Sequence, residues 1–180
     1  PFFRAPLYPI VLAGLTSLAG EGTLFPRLAQ SLLGGLSAYL TYRIGERVHG
    51  RVAGLIASVL VAVSWVLIAF DAELLIPTLF VPLSLFALDR ALVWGFDDRP
   101  RPALIAGLAF GLAAIARPNI LLFMPAAFAL AAWRGRGWRG PVALTLGTCL
   151  AIGPVTVHNA LEGDTALVAT QAGVNLWIGN

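Results

Sequence analysis

The sequence predicts an all-α fold, a polytopic transmembrane helix bundle with an interfacial helix at its amino terminus. Three observations carry this. Hydrophobic residues make up 58% of the 180-residue chain and charged residues only 12%, with a mean hydropathy of +0.84, whereas soluble domains carry about 25% charged residues. Several apolar stretches approach or reach the about 20 residues that a helix needs to cross roughly 30 Å of hydrocarbon. The twelve basic residues are all arginine, and nine of them fall in three clusters: Arg43, Arg47 and Arg51; Arg90, Arg99 and Arg101; Arg134, Arg136 and Arg139. Positive charge beside membrane spans accumulates on the cytoplasmic side, so the clusters mark one face.

Taken in order, residues 5–19 are apolar but short and lie between polar residues, which predicts a helix lying in the interface. Residues 24–42 form the first span and end in the first arginine cluster. Gly34, Gly35, Ser37 and Ala38 give it the small surface that lets membrane helices approach closely. Residues 52–70 are free of charge and form the second span, antiparallel to the first. A third span covers about 74–94; it contains Pro77 and Pro82, and a proline within a helix frees a carbonyl and bends it. It returns the chain to the cytoplasmic side at Asp89, Arg90 and F-D-D-R-P-R-P.

Residues 102–133 are too long for one span and are bounded by arginines on both sides, so an even number of crossings is required. Arg117-Pro118 divides them into arms at 102–116 and 118–133, because the residue before proline avoids helical geometry while proline suits a helix start. A last span at 141–157 carries the chain outward and leaves 158–180 as an outer loop. The whole of 1–180 is thus part of one membrane domain. Trp65, Trp94, Trp133, Trp138 and Trp177 all fall near these boundaries, where headgroup-level aromatic rings are favoured.

The charge of +3 and pI near 9.8 do not indicate nucleic acid, because the arginines are dispersed between apolar stretches. The lone Cys149 excludes an intrachain disulfide and carries no redox or metal pattern. The chain opens at Pro1 without an initiator Met or a signal-like region, and is read as an internal piece of a longer protein.

The outer face collects Arg4, Pro6 and Tyr8; Asp71 and Glu73; Arg117; His158 and Asn159; and Asn175 and Asn180. Arg117 interrupts an apolar run, where translocon scales assign a central arginine a cost of about 2.5–3.5 kcal/mol unless it is paired or faces water. It is either a cap on the hairpin or an anion ligand. Asp71 and Glu73 share a face only if extended, and are about 200° apart on a helix. As a pair they could hold a divalent metal; as helix-start residues they would complement the dipole.

These motifs resemble a family in their order along the chain. F-F-R-A-P-L-Y-P at 2–9 is similar to the K/H-P-P-L-Y element of polyprenyl-phosphate-sugar-dependent glycosyltransferases of the GT-C fold, the protein mannosyltransferase and aminoarabinose transferase group. F-D-A-E-L at 70–74 resembles that group's aromatic-x-x-E-L segment. G-L-A-F-G-L-A-A-I-A-R-P-N-I-L-L-F-M-P at 107–125 is similar to its G-L-x-x-G-L-A-x-L-x-R-P-x-x-L-L-x-x-P pattern. His158-Asn159 and G-V-N-L-W-I-G-N at 173–180 resemble its R-N and G-x-N-x-x-I-G-N elements.

The resemblance implies transfer of a sugar from a polyprenyl-phosphate donor to a lipid, protein or glycan acceptor at the outer face of a bacterial plasma membrane. It places Arg4 at the carrier phosphate, where guanidinium chemistry suits the ligand, and makes Tyr8, Glu73, Arg117, His158, Asn159 and Asn175 the further substrate-binding candidates. Arg4-Ala5-Pro6 departs from the commoner double proline but keeps the cation. The family's acidic base lies upstream of this element, so the catalytic carboxylate is expected before Pro1 and is not assigned to Asp71. A transport module built on broken helices, or an assembly subunit without an active site, are the alternatives; a transporter should show an internal repeat, and none is apparent.

Overall fold

A computed structural model of the chain describes residues 2, 5–20, 22–97, 99–133, 137–163 and 168–169. They form α1 (Leu7–Ala19), α2 (Leu24–His49), α3 (Arg51–Ala62), α4 (Trp65–Ala72), α5 (Pro77–Asp97), α6 (Pro100–Ala116), a 3₁₀ segment (Pro118–Leu122), α7 (Phe123–Trp133) and α8 (Arg139–Leu161), with no strand among them. The fold is an all-α membrane helix bundle. By length and composition α5 and α8 can each cross a membrane, and α3 with α4 makes a third candidate if the bent pair is counted as one span.

The α2–α3 hairpin turns on Gly50 alone, whose φ of 90° is a conformation that side-chain-bearing residues avoid. Gly45 and Gly54 then let the two helices touch: a Cβ on Gly54 would stand 2.7 Å from the Tyr42 carbonyl oxygen. The stretch expected as a single second span is broken instead. Ser64 adopts an extended conformation (φ −66°, ψ 106°), its carbonyl accepts the N–H groups of Leu67 and Ile68, and α4 leaves α3 at an angle of 49°. The bend brings Asp71 of α4 directly over Gly34 of α2, where a Cβ would overlap the carboxylate.

The tightest packing joins α6 to α8. A Cβ on Gly107 would overlap the carbonyl oxygen of Leu144, one on Gly147 that of Leu104, and one on Gly111 would stand 2.8 Å from the Thr148 carbonyl oxygen. Thr148 Oγ1 donates to the Gly107 carbonyl at 3.1 Å. Residue numbers rise together along both helices, so α6 and α8 are parallel and the chain between them must return. The 3₁₀ segment and α7 make that return, spanning about 26 Å at ~2.0 and ~1.5 Å per residue. Ala87, Ala103, Ala106, Ala109, Phe110 and Leu144 build the core around this contact.

Trp94 corrects an expectation. It is only 5% exposed and belongs to that core, stacked where a Cβ on Gly140 would strike its indole, so it anchors α5 to α8 rather than to headgroups. Trp65 and Trp138, at helix starts, are exposed; Trp177 lies outside the described residues.

Three of the clustered arginines converge on one carboxylate. Asp89, 1% exposed, accepts from Arg47 Nη2 at 3.3 Å and from Arg90 Nε at 2.9 Å, with Arg43 Nε at 3.9 Å. The side chains of Arg43, Arg47 and Arg90 stay 36%, 27% and 23% exposed. That asymmetry decides which substitution is worse. Asp89→Asn leaves guanidinium groups that can still reach water, and is expected to destabilise by about 1–3 kcal/mol. Arg47→Ala with Arg90→Ala leaves the buried carboxylate without a hydrogen bond from arginine and with only Arg43 at 3.9 Å, and the scale for breaking a buried pair is about 3–5 kcal/mol. Thermal unfolding of the two proteins in detergent checks the order; a milder effect from the arginine pair would contradict it.

Candidate functional site

Asn159 organises one end of the bundle. It is fully buried near the end of α8, its Oδ1 accepts the backbone N–H of Phe2 at 2.9 Å, and its Nδ2 donates to the carbonyl of Val168 at 3.2 Å. The Phe2 ring lies 4.7 Å from the exposed His158 imidazole. One side chain therefore joins the amino-terminal segment, the end of α8 and the stretch after it. A buried amide meets its hydrogen-bonding requirement only with such partners, which makes the connection a specific one.

Tyr8 fixes the other side of the same segment. It is 8% exposed, and its hydroxyl accepts from Gln30 Nε2 at 2.9 Å, tying α1 to α2. The two anchors, Phe2 and Tyr8, flank Arg4 in the sequence; Arg4 and Asn175 themselves lie outside the described residues.

Arg117 ends α6 in extended geometry (φ −147°, ψ 108°), as a residue before proline should. It is exposed, and its guanidinium stands 6.0 Å from the centre of the Phe80 ring, within cation–π range. With Phe70, Leu75, Ile76, Pro77, Phe80 and Val81 it lines a pocket of about 380 Å³. No ion pair to Arg117 is present among the described residues.

Asp71 and Glu73 part company. Asp71 remains on α4 and faces α2, while exposed Glu73 caps the end of α4. Leu74 follows it with φ of 53°, a left-handed conformation that disfavours a branched side chain by roughly 1–2 kcal/mol. The two carboxylates do not form a shared site, and no group of three or more His, Cys, Asp or Glu side chains gathers among the described residues.

Asp71 instead shares a cavity of about 360 Å³ with Arg27, Ser31 and Thr78, between α2, α4 and α5. Thr78 Oγ1 donates to the Phe70 carbonyl at 2.9 Å and holds the turn into α5 against the end of α4. Phe70, Pro77 and Val81 line both this cavity and the Arg117 pocket, so the two adjoin across the α4–α5 turn. In the sequence Arg27 reads only as the start of a span, without a function; the signal that could have singled it out is that, like Arg117, it interrupts an apolar run, L-F-P-R-L, where a lone cation is costly. The contribution of Gln30 and the packing role of Asn159 required the tertiary structure.

The structure thus brings His158 and Asn159 to the amino-terminal segment, pins Tyr8 to α2, and sets Arg117 beside a second cavity holding Arg27 and Asp71. It leaves Glu73 outside both pockets. A family model described as dolichyl-phosphate-mannose-protein mannosyltransferase matches residues 3–159. No curated protein and no solved structure gives a match.

Proposed function

The chain belongs to the dolichyl-phosphate-mannose-protein mannosyltransferase family, and on that premise we propose that it moves a sugar from a polyprenyl-phosphate donor to an acceptor at the membrane end opposite its arginine clusters. Membership makes it a multi-pass membrane glycosyltransferase of the GT-C type. The finer reading, donor and sidedness included, rests on one observation above all: Asn159 holds the backbone of Phe2 at the end of α8, two residues from Arg4.

In this reading Arg4 takes the carrier phosphate. As the bond to the sugar breaks, negative charge grows on the departing phosphate, and a cation already in place stabilises the transition state more than the ground state. Arg117 is a second cation proposed for this role, in a pocket that adjoins the cavity of Arg27 and Asp71. Tyr8 and Asn159 act by positioning the segment that carries Arg4, since both are buried and hydrogen-bonded. His158, Glu73 and Asn175 remain candidates for contact with sugar or acceptor. No residue of the chain is assigned as the general base.

The intact protein in sealed vesicles tests this. Covalent transfer of sugar from a polyprenyl-phosphate donor is expected; flux of donor or sugar across the vesicle wall without covalent transfer would favour a transporter. Sidedness has a separate test. Single cysteines at positions 99 and 136 are expected to resist a membrane-impermeant thiol reagent applied from outside cells, and labelling at either would reverse the orientation.

A further inference from the structure

We infer that the arginine-rich end of α2 is a binding site for an anionic phospholipid, with the headgroup phosphate at Arg43 and Arg47 and an acyl chain along the outer face of the same helix. Tyr39, Tyr42, Arg43, Glu46 and Arg47 line a pocket of about 460 Å³. Their spacing of three and four residues puts them on one face of α2. Tyr42 donates to Glu46 Oε1 at 2.5 Å, which engages that carboxylate within its own helix. Asp89 is shared among Arg43, Arg47 and Arg90, so the cations there outnumber the anions. The side chains of Arg43 and Arg47 stay 36% and 27% exposed. An excess of positive charge carried on partly exposed guanidinium groups suits a phosphate.

The neighbouring surface selects a lipid over a free phosphate. Leu32, Leu36 and Tyr39 are 77%, 43% and 53% exposed, and their spacing continues the face of Arg43 and Arg47 toward the membrane centre. An apolar stripe running into a basic pocket matches the two parts of a phospholipid, and basic pockets at the cytoplasmic level of a bundle attract anionic headgroups. The inference depends on the chain lying in a membrane and not on the transfer reaction.

The intact protein, purified and stripped of lipid in detergent, is offered phosphatidylglycerol, phosphatidylcholine or inorganic phosphate, and bound lipid is counted by native mass spectrometry. Phosphatidylglycerol is expected to be retained at least tenfold more than phosphatidylcholine. The triple variant Arg43→Gln, Arg47→Gln and Asp89→Asn removes the cations without stranding the carboxylate, and should abolish that preference. In the wild-type protein, a photoreactive phosphatidylglycerol should crosslink between residues 32 and 47, which keeps the test decisive if the variant does not fold. Equal retention of both lipids, a preference that survives the variant, inorganic phosphate displacing phosphatidylglycerol completely, or crosslinks confined to other helices would each overturn the site.

Discussion

Replacement of Arg4 by alanine is expected to reduce sugar transfer by about 10²–10³-fold, the scale for removing one preplaced group that stabilises developing negative charge. The loss should fall on kcat and on kcat/KM together, because the contact strengthens as the carrier phosphate departs. Protein yield and thermal stability should not change. Arg4→Lys should recover part of the rate, since it restores the charge and not the planar fork. Substitution of Asn159 by alanine should also slow transfer, by a different route: it releases the backbone of Phe2 and vacates a fully buried amide position, so activity and stability fall together. An Arg4→Ala protein with unchanged transfer would remove the phosphate assignment.

Gly107→Leu is expected to destabilise the bundle strongly. The new side chain would meet the backbone carbonyl of Leu144, which cannot rotate aside, so α6 and α8 must separate. Overpacking typically costs about 1–3 kcal/mol. Here separation also breaks the bond from Thr148 Oγ1 to the Gly107 carbonyl and opens the contacts of Gly111 and Gly147, so a loss of about 3 kcal/mol or more is expected. Membrane helices associate chiefly through such packing. Gly14→Ala provides the contrast, because a Cβ on that exposed residue within α1 meets nothing within 4 Å; alanine's better helix propensity should leave the protein as stable or slightly more so. Thermal unfolding in detergent separates the two, and similar midpoints for Gly107→Leu and Gly14→Ala would contradict the close α6–α8 contact.

The helical class was readable because lipid leaves a spanning backbone few choices, and the apolar stretches and arginine clusters report that constraint directly. The break at Arg117-Pro118 was readable for a local steric reason, and the extended geometry of Arg117 reflects it. The break between α3 and α4 was not. V-A-V-S-W contains neither proline nor glycine, and the bend at Ser64 places Asp71 over Gly34, a tertiary contact that no window of sequence contains. Trp94 misled for the same reason: a tryptophan near a span end suits a headgroup, but a glycine on α8 gives it a slot in the core.

The site divides along similar lines. Arg117 announced itself by the cost of an unpaired cation in an apolar run, whereas Arg27, at the start of a span, read as needing no function. Tyr8 and Asn159 stood in recognisable motifs, yet their burial and their hydrogen bonds to Gln30 and Phe2 depend on helices far apart in sequence. Asp89 looked like the start of a polar loop; the convergence of α2 and α5 makes it the buried centre of three arginines.

Where the carrier phosphate sits distinguishes the proposed donor site from the opposite end of the bundle. A photoreactive polyprenyl phosphate, presented to the intact protein in membranes rich in phosphatidylglycerol so that general anionic-lipid sites are filled, can be crosslinked and its adducts mapped by peptide mass spectrometry. Adducts are expected within residues 2–8 and around Arg27, Arg117 and His158, competed away by unlabelled polyprenyl-phosphate sugar. Competed adducts at residues 43–51 or 90–101 instead would place the donor at the opposite end of the bundle and contradict the account.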